Sequence, residues 1–132
     1  MAHVLFVCVH NSGRSQMSRA LFERLADGRH TADSAGTSPA ARVQPEVIEV
    51  MGEIGIDVSR RTPRALTREL AAGADVLVTM GCGDQCPVIP GKRYIDWDLT
   101  DPKDQAVEQV RATRELIARR VRELLTALDA SG

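Results

Sequence analysis

The chain has 132 residues, 43% of them hydrophobic and 27% charged, which predicts one domain over residues 1–132 with a real core. A net charge of −1 and the lack of any lysine- or arginine-rich tract weigh against nucleic-acid and membrane partners. No apolar stretch approaches the roughly 20 residues that span a bilayer, and the N-terminal segment does not read as a signal peptide, so a cytoplasmic location is expected.

In chain order, residues 4–9 form a continuously apolar run, the pattern of a strand covered on both faces. Met17, Leu21 and Leu25 recur every fourth residue and predict a helix over 15–27, which Gly28 can close. Residues 30–35 read as a more polar strand near a sheet edge. A helix is expected over 45–54, with Pro45 at its start, and a short one over 67–72 capped by Thr67. Val76-Leu77-Val78 marks a buried strand within 75–80, and Tyr94-Ile95 a further strand candidate within 93–97. The clearest helix spans 104–128, where Val107, Val110, Ile117, Val121, Leu124 and Leu128 make one apolar stripe. Strands that alternate with helices predict an α/β fold, a parallel sheet with helices on both faces.

Chemistry concentrates after the first strand. Cys8 ends it, a short polar loop follows, and a helix begins at about Arg14-Ser15. In open α/β sheets ligands bind beyond the carboxyl ends of strands. A loop that enters a helix N-terminus aims backbone N–H groups and a positive dipole end at one point, which suits an oxyanion. Val9, His10, Asn11, Ser12, Gly13, Arg14 and Ser15 are therefore candidate oxyanion-binding residues. Gly13 lets the backbone curl, and Arg14 offers a planar fork for two oxygens. The same field favours a thiolate, Ser15 can donate to it, and Cys8 becomes a candidate nucleophile. The competing view of Cys8 is a small buried residue at a strand end. His10 is expected to point outward. A Walker loop is excluded by the absence of its glycine–lysine pattern.

The other thiols are Cys82 and Cys86, in a loop rich in glycine, proline and cysteine over 81–91. Three cysteines with no export signal do not suggest a disulfide framework. A zinc pair lacks the further ligands that structural zinc takes, so no metal is expected; idle thiols remain an alternative. Gly81 and Gly83 suggest that this loop moves.

The motif of Cys8, five residues, then Arg14-Ser15 resembles the low-molecular-weight protein tyrosine phosphatase superfamily. Ser34-Ala35-Gly36-Thr37, Leu66–Leu70 with Asp75–Met80, and Asp101-Pro102 are similar to other parts of that superfamily. The resemblance implies a four-stranded parallel sheet and Asp101 as general acid. Gln16-Met17 after the arginine and serine, and Lys103-Asp104 after Pro102, resemble its arsenate reductase branch. That branch implies attack of Cys8 on arsenate, for which phosphate or sulfate are mimics. A Cys8–Cys82 and then a Cys82–Cys86 disulfide would follow, with no tightly bound cofactor and with thioredoxin as electron donor. Mycothiol is the alternative donor and a phosphatase the alternative enzyme; a monomer is expected. Some members hold potassium beside the loop through carboxylates. Arg19 and Arg64 stand where those acids are expected, so the ion is not predicted.

Overall fold

A computed structural model describes residues 1–81 and 92–131. Strands β1 (His3–Cys8), β2 (Thr31–Gly36), β3 (Val76–Thr79) and β4 (Arg93–Asp96) form one parallel sheet in the order β2-β1-β3-β4. Strand β1 lies inside the sheet, and its side chains alternate between two apolar layers. Val4, Phe6 and Cys8 face the larger layer, while Leu5 and Val7 face a smaller one with Ala35, Ala71, Ala74 and Leu77. A strand buried on both faces has no place for polar residues, which accounts for the unbroken run in the sequence.

Helices α1 (Arg14–Ala26), α2 (Pro45–Gly52) and α4 (Val107–Ser131) supply the larger layer through Met17, Phe22, Val47, Val50, Ile117 and Val121. The short α3 (Arg68–Ala72) covers the other face with Ala71. The few aromatics are gathered at one place. Phe6 meets Phe22 edge-on at 5.6 Å and Trp97 at 5.8 Å between ring centroids. The expected α/β architecture, a four-stranded parallel sheet with helices on both faces, is the one observed.

Boundaries differ where backbone turns intervene. The last helix begins at Val107 rather than at 104, because Gln105 N–H closes a turn onto Pro102 O at 3.0 Å and Asp104 has φ 62°. A left-handed residue cannot continue a right-handed helix. Likewise α1 stops at Ala26, with Asp27 in the left-handed conformation at its end. Thr67 caps α3 as expected, accepting from Leu70 N–H at 3.1 Å. The apolar stripe of α4 is interrupted by Arg114, only 7% exposed, which donates to Val50 O at 2.7 Å and Glu53 Oε1 at 2.8 Å. Arg111 grips the same carboxylate with two bonds of 2.9 and 2.6 Å. The Arg111 hydrogen bonds foremost, helped by Arg114, pull the Glu53 carboxyl from its ordinary 4.5 down to about 2.

Candidate active site

The strand order runs outward in both directions from the junction of β1 and β3, so the segments leaving those strands diverge there and leave a crevice. Cys8 ends β1, Gly36 ends β2, and Gly81 follows β3 by two residues. Asp101 lies five residues beyond β4. All four segments border the loop that follows Cys8.

That loop is fixed by its carbonyls. Cys8 O accepts from Thr37 N–H (3.2 Å), Val9 O from Ser38 N–H (2.8 Å), and His10 O from Ala40 N–H (2.9 Å). Asn11 O accepts from Gln16 Nε2 (3.1 Å), Ser12 O from Gln44 N–H (2.9 Å), and Gly13 O from Met17 N–H (3.0 Å). In a trans peptide the N–H points opposite to the carbonyl it is joined to. Six carbonyls turned outward therefore turn the N–H groups of residues 9–14 inward, a concavity of donors suited to a tetrahedral anion. Arg14 is 5% exposed, and its Nη1 donates to Leu99 O at 3.3 Å. Its Nε is buried with no partner among the described residues, a charged donor that an anion would satisfy.

The sulfur sits at the end of a directed chain of hydrogen bonds. Arg64 N–H donates to Asn11 Oδ1 (3.0 Å), which sets the Asn11 amide so that Nδ2 faces Ser15 Oγ (2.7 Å). With that lone pair occupied, the Ser15 hydroxyl proton is free to point at Cys8 Sγ, 2.9 Å away. Asn11, not a glycine, takes the left-handed turn of the loop, at φ 51°.

Gly13 does more than let the backbone curl. Its φ is −141°, and a Cβ there would lie 2.5 Å from Pro102 Cγ. Its missing side chain lets the Asp101-Pro102 corner rest on the loop. Asp101 Oδ2 consequently lies 3.6 Å from Arg14 Nη2 and 3.7 Å from His10 Nδ1, with its side chain 36% exposed. His10 is thus partly exposed, as expected, but turned toward the carboxylate. Asp96 accepts from Thr79 Oγ1 at 2.8 Å instead, which leaves it occupied.

Two further glycines are part of the site for reasons of space. A Cβ on Gly36 would lie 2.7 Å from Val9 O and 2.9 Å from Asn11 N. Gly81, at φ 75°, sits so close to Arg14 that a Cβ would meet Nη1 at 2.5 Å. Sequence reasoning gave Gly81 only a role in loop motion, gave Gly36 only a place in a family-like stretch, and passed over Gln44 and the bonds of Gln16. Their signal is tertiary and absent from any spacing. Arg19 and Arg64 both pair with Asp33, so these arginines stand around an acid on β2. Beside the loop lies a cavity of about 240 Å³, lined in part by His10, Ser12, Arg42, Val43, Gln44 and Lys103. Cys82, Cys86, Gly83 and the expected motion of their loop lie outside the described residues.

A buried thiol at the start of a loop of inward N–H groups, closed by an arginine that a carboxylate faces, makes a phosphate-type cradle. Residues 3–132 match the family model described as low molecular weight phosphotyrosine protein phosphatase. The chain belongs to this family. It is 45% identical over 124 residues to a putative arsenate reductase of Halobacterium salinarum, covering 90% of this chain and 87% of that one. It is 34% identical over 132 residues to a glutaredoxin arsenate reductase of Synechocystis sp., covering 98% and 100%. In structure it is similar to a thioredoxin-dependent arsenate reductase of Corynebacterium glutamicum, with TM-score 0.88 and 39% identity. That likeness covers all of this chain and 64% of the other. No helix among the described residues is long and apolar enough to cross a membrane.

Proposed function

We propose that the protein is an arsenate reductase that acts as a monomer on cytoplasmic arsenate. Cys8 is the nucleophile, and the N–H groups of Val9, His10, Asn11, Ser12, Gly13, Arg14 and Ser15 hold the oxyanion with the Arg14 side chain. Asp101 is the general acid, and Cys82 and Cys86 complete the electron path. The observation that carries this reading over a phosphatase is the contact of Gly81 with Arg14, because the next residue in the chain is Cys82. A phosphate ester needs no further thiol, whereas As(V) needs two electrons.

The Cys8 thiolate attacks As(V) and an S–As bond forms, while Asp101 protonates the oxygen that leaves as water. The Cys82 thiolate then attacks Cys8 Sγ. An S–S bond forms, the S–As bond breaks, and its electron pair stays on arsenic, which departs as arsenite. Cys86 attacks the Cys82 sulfur, Cys8 leaves as thiolate, and a Cys82–Cys86 disulfide remains for a dithiol donor to reduce. Thioredoxin is that donor, in keeping with the Corynebacterium relative, and no bound cofactor is required. The Synechocystis relative carries glutaredoxin in its name, which favours testing a small-thiol route with mycothiol as well.

The test is arsenate-dependent NADPH oxidation with thioredoxin and its reductase. Wild type should turn over, and Cys8→Ser, Cys82→Ser and Cys86→Ser should each lose activity. Turnover only with mycothiol and its redoxin would keep the reductase and replace the donor. Undiminished turnover in both Cys82→Ser and Cys86→Ser would contradict the relay. Hydrolysis of p-nitrophenyl phosphate with no arsenate reduction by any donor would make the protein a phosphatase.

A further inference from the structure

Gln16 is 2% exposed, one residue beyond the loop, in the first turn of α1. Its Nε2 donates to both Asn11 O (3.1 Å) and Asn11 Oδ1 (3.2 Å). Two acceptors at one end of the amide fix its orientation and leave Oε1 buried with no partner among the described residues. Burying an acceptor without a partner is unfavourable, and an apolar side chain of the same size would avoid it. The amide is therefore unfavourable for packing alone but matches what Asn11 needs. Asn11 holds a left-handed backbone that non-glycine residues rarely adopt, and its side chain must keep Nδ2 on Ser15. Gln16 holds both halves of Asn11 at once, main chain and side chain.

We infer that Gln16 is a positioning residue for Cys8: by clamping Asn11 it directs the Asn11–Ser15–Cys8 chain of hydrogen bonds, so that the Ser15 hydroxyl donates its hydrogen bond to the sulfur and supports attack by the thiolate. This rests on the reading of Cys8 as nucleophile. Gln16 acts on the loop from behind, through its hydrogen bonds to Asn11. Its effect travels through three contacts of 3.1, 2.7 and 2.9 Å.

The experiment uses the full chain with Cys82→Ser and Cys86→Ser, so that Cys8 is the sole thiol. The rate of Cys8 alkylation by iodoacetamide at neutral pH reads how much thiolate is available. Adding Gln16→Met, which fills the same space without a donor, should slow alkylation about five- to tenfold, the worth of one lost hydrogen bond to a charged chain. The thermal midpoint should stay near that of the parent, because the unpartnered Oε1 is removed as well. With all three cysteines present, kcat/KM for arsenate should fall by the same factor. Gln16→Glu keeps the shape and sets an acceptor against two acceptors; it should slow alkylation at least as much, and it carries the test if the methionine variant does not fold. Alkylation within twofold of the parent in a folded variant would overturn the proposal, and so would failure of both variants to fold, which would assign Gln16 to the core. If Cys8→Ser keeps arsenate turnover, the functional reading itself fails. If that variant is inactive while Gln16 variants alkylate at the parental rate, only this inference fails.

Discussion

Between Cys8 and Gly13 every backbone carbonyl accepts a hydrogen bond from outside or just beyond the loop, whereas Asp101, which faces the same guanidinium, reaches Arg14 and His10 only at 3.6 and 3.7 Å. Residues 11–15 of the loop are buried, Val9 and His10 are half-buried, and the loop's shape is set before any anion arrives. The acid rests on a corner supported by Pro102 against Gly13 and by Lys103 N–H donating to Asp101 Oδ1 at 3.0 Å. The difference suits the role proposed for each part. A cradle gains most from donors that need no reorganisation. A proton donor must follow the oxygen it protonates, and hydrogen bonds of this kind tighten only when substrate is present.

Substitutions in the loop should have the largest effects. Arg14→Lys keeps the charge but loses the fork, and arsenate kcat/KM should fall by roughly 10²–10³-fold, with weaker arsenate binding in titration calorimetry. Unchanged arsenate binding would mean that the amides alone hold the anion. Asp101→Asn should lower kcat by about 10²-fold while arsenate binding stays near wild type. A loss of binding equal to that of Arg14→Lys would erase the distinction between the cradle and the Asp101 corner. Gly81→Ala should cost about tenfold in kcat/KM, because a Cβ at φ 75° would crowd Arg14 Nη1 away from Leu99 O. Gly52→Ala, where nothing lies within 4 Å of the added carbon at the end of α2, should leave activity unchanged.

The smallest effect belongs to the seam between α2 and α4. Glu53→Gln removes a carboxyl held at about 2 by Arg111 and Arg114. A depressed carboxyl stabilises the fold above its ordinary 4.5 and loses that contribution as pH falls toward about 2. The thermal midpoint of the variant should therefore lie a little below wild type near pH 6, and the gap should close as the pH is lowered below 4.5 toward about 2. Because the carboxyl is solvent-accessible, the effect is small. A gap that grows in acid would contradict the assignment, and a change in arsenate turnover would tie this seam to the site.

Much of this was readable in the order of residues. The unbroken apolar run of β1, the four-residue spacing of α1 and the stripe of α4 each report a face that must be covered. Cys8, the polar loop and Arg14 pointed to the proposed anion site because helix N-termini and guanidinium groups act locally. The contributions that escaped are all made across the fold. Gly13 reads as a turn residue until Pro102 is seen against it, and Gly36 is ordinary until Val9 O is found 2.7 Å from its missing Cβ. Arg114 breaks an apolar stripe without a reason until Val50 O and Glu53 lie beside it. Spacing along a chain reports which face is buried, but not which partner the burial brings.

The most direct test of the central reading is a single turnover without any external donor. Fully reduced protein, freed of reductant, is mixed with arsenate, and arsenite is counted per chain. The expected result is about one arsenite per chain for wild type, with Cys8 no longer open to alkylation until exchange is complete, and none for Cys8→Ser. A wild-type protein that binds arsenate and yields no arsenite would show a cradle without the electron path and would contradict the reductase.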